Sequence, residues 1–201
     1  MSILALTSDT LIGTPATGNI EYNGQFFGTD SNASRAQLQR IVRATAVAST
    51  SGTSIDFNSI PAWVEKITVM FSGVSTNGSS QYQVQLGDSG GIENTGYTSL
   101  CTGLAAPSTV ALQTLASGIP ILYTTFIGAS TVFTAVLNIS LLDSATNLWV
   151  FNANAARTDA NGSCITTGNK ALSATLDRVR ITTVNGTDTF DAGSVNIIYE
   201  G

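Results

Sequence analysis

The chain has 201 residues and a net charge of −5; 43% of its residues are apolar and only 10% are charged. It contains no histidine, so the commonest general base and the commonest zinc ligand are both missing. Lys and Arg never run together, which excludes nucleic acid as a primary partner, and no window reaches the roughly 20 apolar residues of a membrane span, so no membrane insertion is expected.

Ser, Thr, Asn and Gly take the place of charge. Such a composition suits sheets with polar, uncharged outer faces and subunits packed against one another, because few charges must be desolvated. Met1 to Leu6 has neither a basic leader nor a long apolar run, so synthesis in a cytoplasm without a signal peptide is expected.

Residues 1–45 read as an attachment segment. Leu4, Leu6 and Leu11 are scattered among Thr, Ser and Gly. Ile20 and Tyr22 then alternate with Glu21, Asn23-Gly24 supplies a hairpin turn, and Phe26 and Phe27 lead the return strand. An isolated hairpin is marginal in water. Ile20, Tyr22, Phe26 and Phe27 should therefore dock, either on the chain's own body or on a neighbouring subunit or another protein. Residues 32–43 are the one stretch compatible with a helix: Asn32 or Ser34 could cap it, and Leu38, Ile41 and Val42 have roughly helical spacing. The same stretch is also compatible with extended chain.

The body spans residues 46–201. Ile55 and Phe57 alternate in a short strand, and Pro61 marks a strand start. Ile67, Val69 and Phe71 alternate with Thr68 and Met70; Tyr82, Val84 and Leu86 alternate with Gln81, Gln83 and Gln85. With Asn77-Gly78 between them, the two runs predict a long hairpin with one buried and one wet face. Residues 87–97 form a glycine-rich polar loop offering Asp88, Glu93, Asn94 and Tyr97 for surface contact.

Residues 104–117 read as loop with room for one short strand, 121–127 as a strand. Phe133, Ala135, Leu137, Ile139 and Leu141 make the longest period-two run. Residues 148–153 are apolar on both sides, which predicts a central strand. Residues 154–170, with Asn161-Gly162, read as a second contact loop that presents Asn161. Strands over 172–184 and 195–200 close the chain. About eight strands separated by short turn signals predict an all-β fold, an antiparallel β-sandwich or jelly roll with a short N-terminal attachment arm.

Catalytic constellations are weak. Asp56, Asp88, Glu93 and Asp143 could in principle pair as a glycosidase acid and base, but no spacing joins any two. Ser163 and Ser194 lack a histidine. Asp177, Asp188 and Asp191 match no calcium loop. Arg178 and Arg180 on one strand face fit an ion pair better than an anion site. Trp63, Tyr82 and Trp149 fit burial better than sugar stacking. Cys101 and Cys164 fit no metal spacing and read as small buried hydrophobes more readily than as a disulfide. No cofactor and no metal are expected.

The run Pro15-Ala16-Thr17-Gly18-Asn19-Ile20-Glu21-Tyr22-Asn23-Gly24-Gln25-Phe26-Phe27, with the later Ser34-Arg35, resembles a segment of tail-fibre-like virion proteins of tailed bacteriophages. There the pattern is Pro-x-x-Gly-x-x-Glu-Tyr-Asp/Asn-Gly, an aromatic pair and a later Ser-Arg. Residues 60–85 and 175–200 resemble C-terminal modules of the same proteins. The resemblance implies a non-enzymatic virion protein: a homotrimeric tail fibre or tip that meets other virion proteins and a host surface glycan. Such subunits usually carry a long shaft, which is missing here. A capsid decoration protein at the head's symmetry axes is thus the alternative, and a polysaccharide depolymerase is a third.

Overall fold

A computed structural model describes residues 17–22, 26–30, 32, 34–105 and 109–201. Leu4, Leu6, Leu11 and the Asn23-Gly24 turn lie outside the described residues. The chain divides into two compact units, Met1–Arg40 and Ile41–Gly201.

In the first unit, β1 (Ile20–Tyr22), β2 (Phe26–Thr29) and β3 (Arg35–Gln37) form an antiparallel sheet in that order. The hairpin expected from Ile20, Tyr22, Phe26 and Phe27 is present, and Tyr22 stands opposite Phe26 with ring centroids 5.0 Å apart. Among the described residues of 32–43 no helix forms. Arg35–Gln37 pairs with β2 instead, the Leu38 N–H donates to the Phe26 carbonyl (2.8 Å), and Asp30 accepts from the Asn32 and Ser34 N–H groups (both 2.9 Å). Strand pairing satisfies more of this short segment's backbone than a helix whose first hydrogen bond must fix several residues.

The second unit begins at β4 (Ile41–Arg43), so the expected boundary after residue 45 falls inside it. It continues through β5 (Val47–Ala48), β6 (Ser54–Phe57), β7 (Lys66–Thr76), β8 (Tyr82–Asp88), β9 (Gly91–Ile92), β10 (Thr98–Ala105) and β11 (Thr109–Thr114). Then come β12 (Ile119–Pro120), β13 (Phe133–Asp143), β14 (Leu148–Arg157), β15 (Ser163–Ala171), β16 (Leu176–Thr183) and β17 (Phe190–Glu200). A nine-stranded sheet runs β11-β10-β15-β14-β13-β7-β17-β4, with β5 also on β17. A five-stranded sheet runs β12-β8-β16-β6, with β9 also on β8. All pairings are antiparallel, and the protein is an all-β sandwich as the sequence predicts.

The core lies between the sheets. Ile67, Val69 and Phe71 of β7 and Leu137 and Ile139 of β13 meet Val84, Leu86 and Ile181 from the other sheet, all buried. Phe133 spans the gap, its ring 5.7 Å from Phe71 and 4.7 Å from Tyr82.

Several elements differ from the sequence expectation. β7 and β8 do not pair as a hairpin: β7 joins the larger sheet and β8 the smaller. Asn77-Gly78 is a corner between layers, and Asn185-Gly186 is another. The two corners bind each other. The Asn77 N–H donates to the Thr189 carbonyl (2.9 Å), the Thr189 N–H to Asn77 Oδ1 (2.8 Å), and the Ser80 N–H to Asp188 Oδ2 (2.8 Å).

The side of β8 expected to be wet is buried. Gln81 Nε2 donates to the Leu122 carbonyl (2.7 Å) and Gln85 Nε2 to the Ser117 carbonyl (2.9 Å), while Gln83 Oε1 accepts from the Ser117 hydroxyl (2.9 Å). Primary amides tolerate burial when donor and acceptor are both used. Residues 104–117, expected as loop with at most a short strand, supply the end of β10 and all of the six-residue β11. Residues 121–127, expected as a strand, contain only a 3₁₀ turn at Thr124–Phe126. Pro61 lies in a turn ahead of β7, not at its start.

β7 bulges where it passes Gly73. Its register slips against β13 between Phe133 and Ala135 and against β17 between Ala192 and Ser194. Gly73 (φ 62°) and Gly193 (φ 93°) face each other there. A Cβ at Gly193 would sit 2.5 Å from the Gly73 carbonyl carbon, whereas one at Gly73 meets open space. Gly193→Ala is expected to cost about 2 kcal/mol and Gly73→Ala about 1 kcal/mol. Equal losses in urea titrations would show that φ alone, not the close approach, sets the penalty.

Candidate functional site

The 87–97 segment was expected to present its polar groups outward. Three of the four candidates turn inward. Asp88 ends β8 and is buried, and its Oδ1 accepts from the Gly90 N–H (2.7 Å) and its Oδ2 from the Ser173 hydroxyl (2.5 Å). Tyr97 is buried; its hydroxyl accepts from the Leu86 N–H (2.6 Å) and donates to the Glu93 carbonyl (3.0 Å). Glu93 Oε1 accepts from the Ser173 N–H (2.7 Å) and Oε2 is ion-paired with Lys170. Lys170 is 5% exposed, donates to the Ala171 carbonyl (2.5 Å) and lies 5.6 Å from the Tyr97 ring centroid.

The electrostatics follow from these contacts. Hydrogen bonds from Ser173 and the Gly90 N–H hold the Asp88 carboxyl below its usual range. Burial would raise the Glu93 carboxyl, but the Lys170 ammonium and the Ser173 N–H outweigh it and the net direction is down. Burial pushes the Tyr97 phenol well up. Two carboxylates bridged by one serine and both kept ionised brace a loop; a general acid requires the opposite shift. Nothing in the sequence marked Lys170, because a lone Lys on a strand ordinarily faces water.

Asn94 is exposed at the loop tip, as expected. Asn161 is also exposed, but residues 154–170 are not one loop: β14 and β15 occupy nearly all of it, and the connection is 158–162. Lys170 and Ser163 lie at opposite ends of β15, about 23 Å apart along the strand. Asn94 and Asn161 thus do not share one contact surface.

The remaining charged candidates are individually satisfied. Arg178 pairs with Asp177 (2.6 Å) and Arg180 with Asp56 (2.7 Å). Asp143 accepts from the Ala145 N–H (2.9 Å) and the Thr146 hydroxyl (2.7 Å). Asp188 serves the corner and Asp191 accepts from the Ser75 hydroxyl. Tyr82 and Trp149 are buried and Trp63 half-buried. Cys101 and Cys164 are buried free thiols on neighbouring strands; a hydrogen bond from Cys164 holds the Cys101 thiol down, and that bond and burial push the Cys164 thiol up. Among the described residues no group of three metal-ligating side chains gathers, and no helix is long and apolar enough to cross a membrane.

Among the described residues, two apolar surfaces remain. In the first unit, strand register puts Ile20, Tyr22 and Phe26 on one face of the small sheet and Phe27 on the other, beside the buried Glu21, whose carboxylate is held by Arg35 (2.7 and 3.0 Å). Ile20 is 71% exposed, Phe26 46% and the adjacent Leu38 51%. In the second unit, register puts Val110, Leu112, Leu100, Leu104, Ile165 and Val136 together on the outer face of the nine-stranded sheet. All six are exposed, Val110 at 67% and Leu112 at 63%.

Fold and surfaces together define an antiparallel β-sandwich protein with two open apolar faces. No protein-family model matches the chain, and no curated protein matches it. Two solved structures align over most of its length. One is the marine PL-14 alginate lyase from Aplysia kurodai, 9% identical over 90% of this chain and 86% of that one, with a TM-score of 0.30. The other is a protein of unknown function from Shewanella oneidensis MR-1, 13% identical over 99% of this chain and 97% of that one, also at 0.30. Similarity at that level assigns no activity.

Proposed function

We propose that the chain is a non-enzymatic structural protein of a tailed-phage virion: a trimeric tail fibre or tip that docks through its first unit and contacts the host surface with its sandwich. The observation that carries this reading is the first unit itself. Three short strands leave Ile20, Phe26 and Leu38 open to water, and so small a sheet needs an apolar partner to be stable. The motif around Glu21 and Tyr22 is the stretch that resembles phage fibre proteins. Lowered Asp88 and Glu93 suit a braced loop and not proton transfer. Contact with a glycan would use exposed loop groups such as Asn94 or Asn161, with three linked copies multiplying weak affinities.

The test is a tagged chain expressed during phage production, with the particles purified and imaged. The expected result is density for the chain on the tail. A double variant, Ile20→Asp with Phe26→Asp, should fold but be lost from particles. Density at the head's symmetry axes would replace this reading with capsid decoration. Absence from particles, or turnover of a host surface polysaccharide by the purified chain, would refute it.

A further inference from the structure

We infer that the outer face of the nine-stranded sheet, from β11 to β13, is the surface on which copies of this chain pack against one another. The inference takes only the copy number, three, from the proposed function. Its evidence lies in what the face lacks. The outward-facing positions of β11, β10, β15, β14 and β13 alternate with the core positions, and from Val110 through Ser140 in register they hold only Val, Leu, Ile, Ala, Thr, Ser and Asn. None is charged, whereas about a quarter of an ordinary water-facing surface is Lys, Arg, Glu or Asp.

This composition selects the partner. A nucleic acid or an anionic membrane would need basic groups on the face. A sugar would need aromatic platforms, and those outward positions contain none. A charged protein would lose hydration with no countercharge to meet. A second copy presents the same neutral, apolar and hydroxyl-rich surface, so neither repulsion nor an unpaired charge results. Met70 of β7 and Asn196 of β17 continue the row from Val136. β7 and β17 bring the Lys66–Glu200 ion pair onto the outward row beside Ser140, so the uncharged patch is the five strands from β11 to β13. At ~4.8 Å spacing and about seven residues of ~3.4 Å these give roughly 570 Å², toward the lower end of what each partner contributes to a specific interface.

The edge agrees. Among the described residues β11 pairs only with β10, so its other side is a free edge. Thr109–Thr114 contains neither Lys nor Pro, the residues that usually guard an exposed edge against association.

Light scattering coupled to size exclusion tests this on the full chain. The wild type is expected to run at three times its subunit mass. Leu112→Lys with Ile165→Lys should run as a monomer with an unchanged circular dichroism spectrum, because both side chains already face water. Val184→Lys, an exposed apolar position on the other sheet's side, should leave the assembly intact. A monomeric wild type, or a double variant that stays assembled, would overturn the inference. Neither outcome depends on where the chain sits in a particle, so a trimer broken by the double variant would stand even if the virion reading failed.

Discussion

Phe133→Ala is expected to remove about 3–5 kcal/mol of folding free energy, a large part of the 5–15 kcal/mol typical of a domain. Phe133 is fully buried, and its ring lies against Phe71 from its own sheet and Tyr82 from the other. It sits opposite Val74, just past the β7 bulge, where the two layers converge on their connecting corner. Truncation would leave an aromatic-sized void that strands tied into two sheets cannot close. It would also loosen Tyr82, whose hydroxyl is bonded to Thr76 (3.0 Å). Phe133→Leu should cost about 1–1.5 kcal/mol, since most of the volume is retained. Urea titration of the three proteins gives the comparison. A loss below 1 kcal/mol for the alanine variant would mean that the layers do not meet there.

The second large effect is expected at Lys170. Lys170→Met should cost about 2–3 kcal/mol at pH 7, because it strands the Glu93 carboxylate without its partner while keeping the stem's apolar contacts. The figure is below that for a fully enclosed pair because the Glu93 side chain keeps 22% of its exposure. The pH dependence is the sharper readout. Asp88 and Glu93 have lower pKa values folded than unfolded, so the unfolded chain takes up protons first as pH falls. The stabilisation is complete above the unfolded carboxylate values, near pH 4–4.5, and is lost as pH falls through the lower folded values. In Lys170→Met the Glu93 pKa rises, so the acid limb of a stability–pH curve should begin at higher pH. Adding Glu93→Gln should recover part of the loss at neutral pH and remove that displacement. Superimposable acid limbs for wild type and Lys170→Met would show that the ion pair does not brace the loop.

The candidate surface was only partly legible. Ile20, Tyr22, Phe26 and Phe27 announced the small sheet because aromatic residues flank a turn signal, a purely local pattern. Asp88, Glu93 and Tyr97 were recognisable as a polar loop, yet their direction was not. It depends on Lys170 and Ser173, about 80 residues away and invisible to any local window. The outer apolar face was missed for a different reason. Val110 and Leu112 do alternate, but their neighbours are Ala111 and Gln113, and contrast between small, uncharged residues is too weak to declare a strand. Asn161 was legible as a turn residue, while the strands on either side of it were not, because Ala, Asn, Ser and Thr alternate there with little difference in hydrophobicity.

By itself, the amino-acid sequence determined that this protein is built from pleated strands, and which side of most long strands is dry. Ile67, Val69 and Phe71, and Phe133 through Ile139, need only a period of two to declare a buried face. What the tertiary structure alone decided is which strands are neighbours. β7 and β8 have the alternation of a hairpin and the turn for one, but they part at Asn77-Gly78 into opposite layers. The reason is physical: alternation records which side of a strand leaves water, and two layers closing over one core satisfy that as well as two strands in one sheet. The backbone hydrogen bonds that choose between them are alike at every residue. The glutamines of β8 show the same limit, since only the distant carbonyls of Ser117 and Leu122 make their burial affordable.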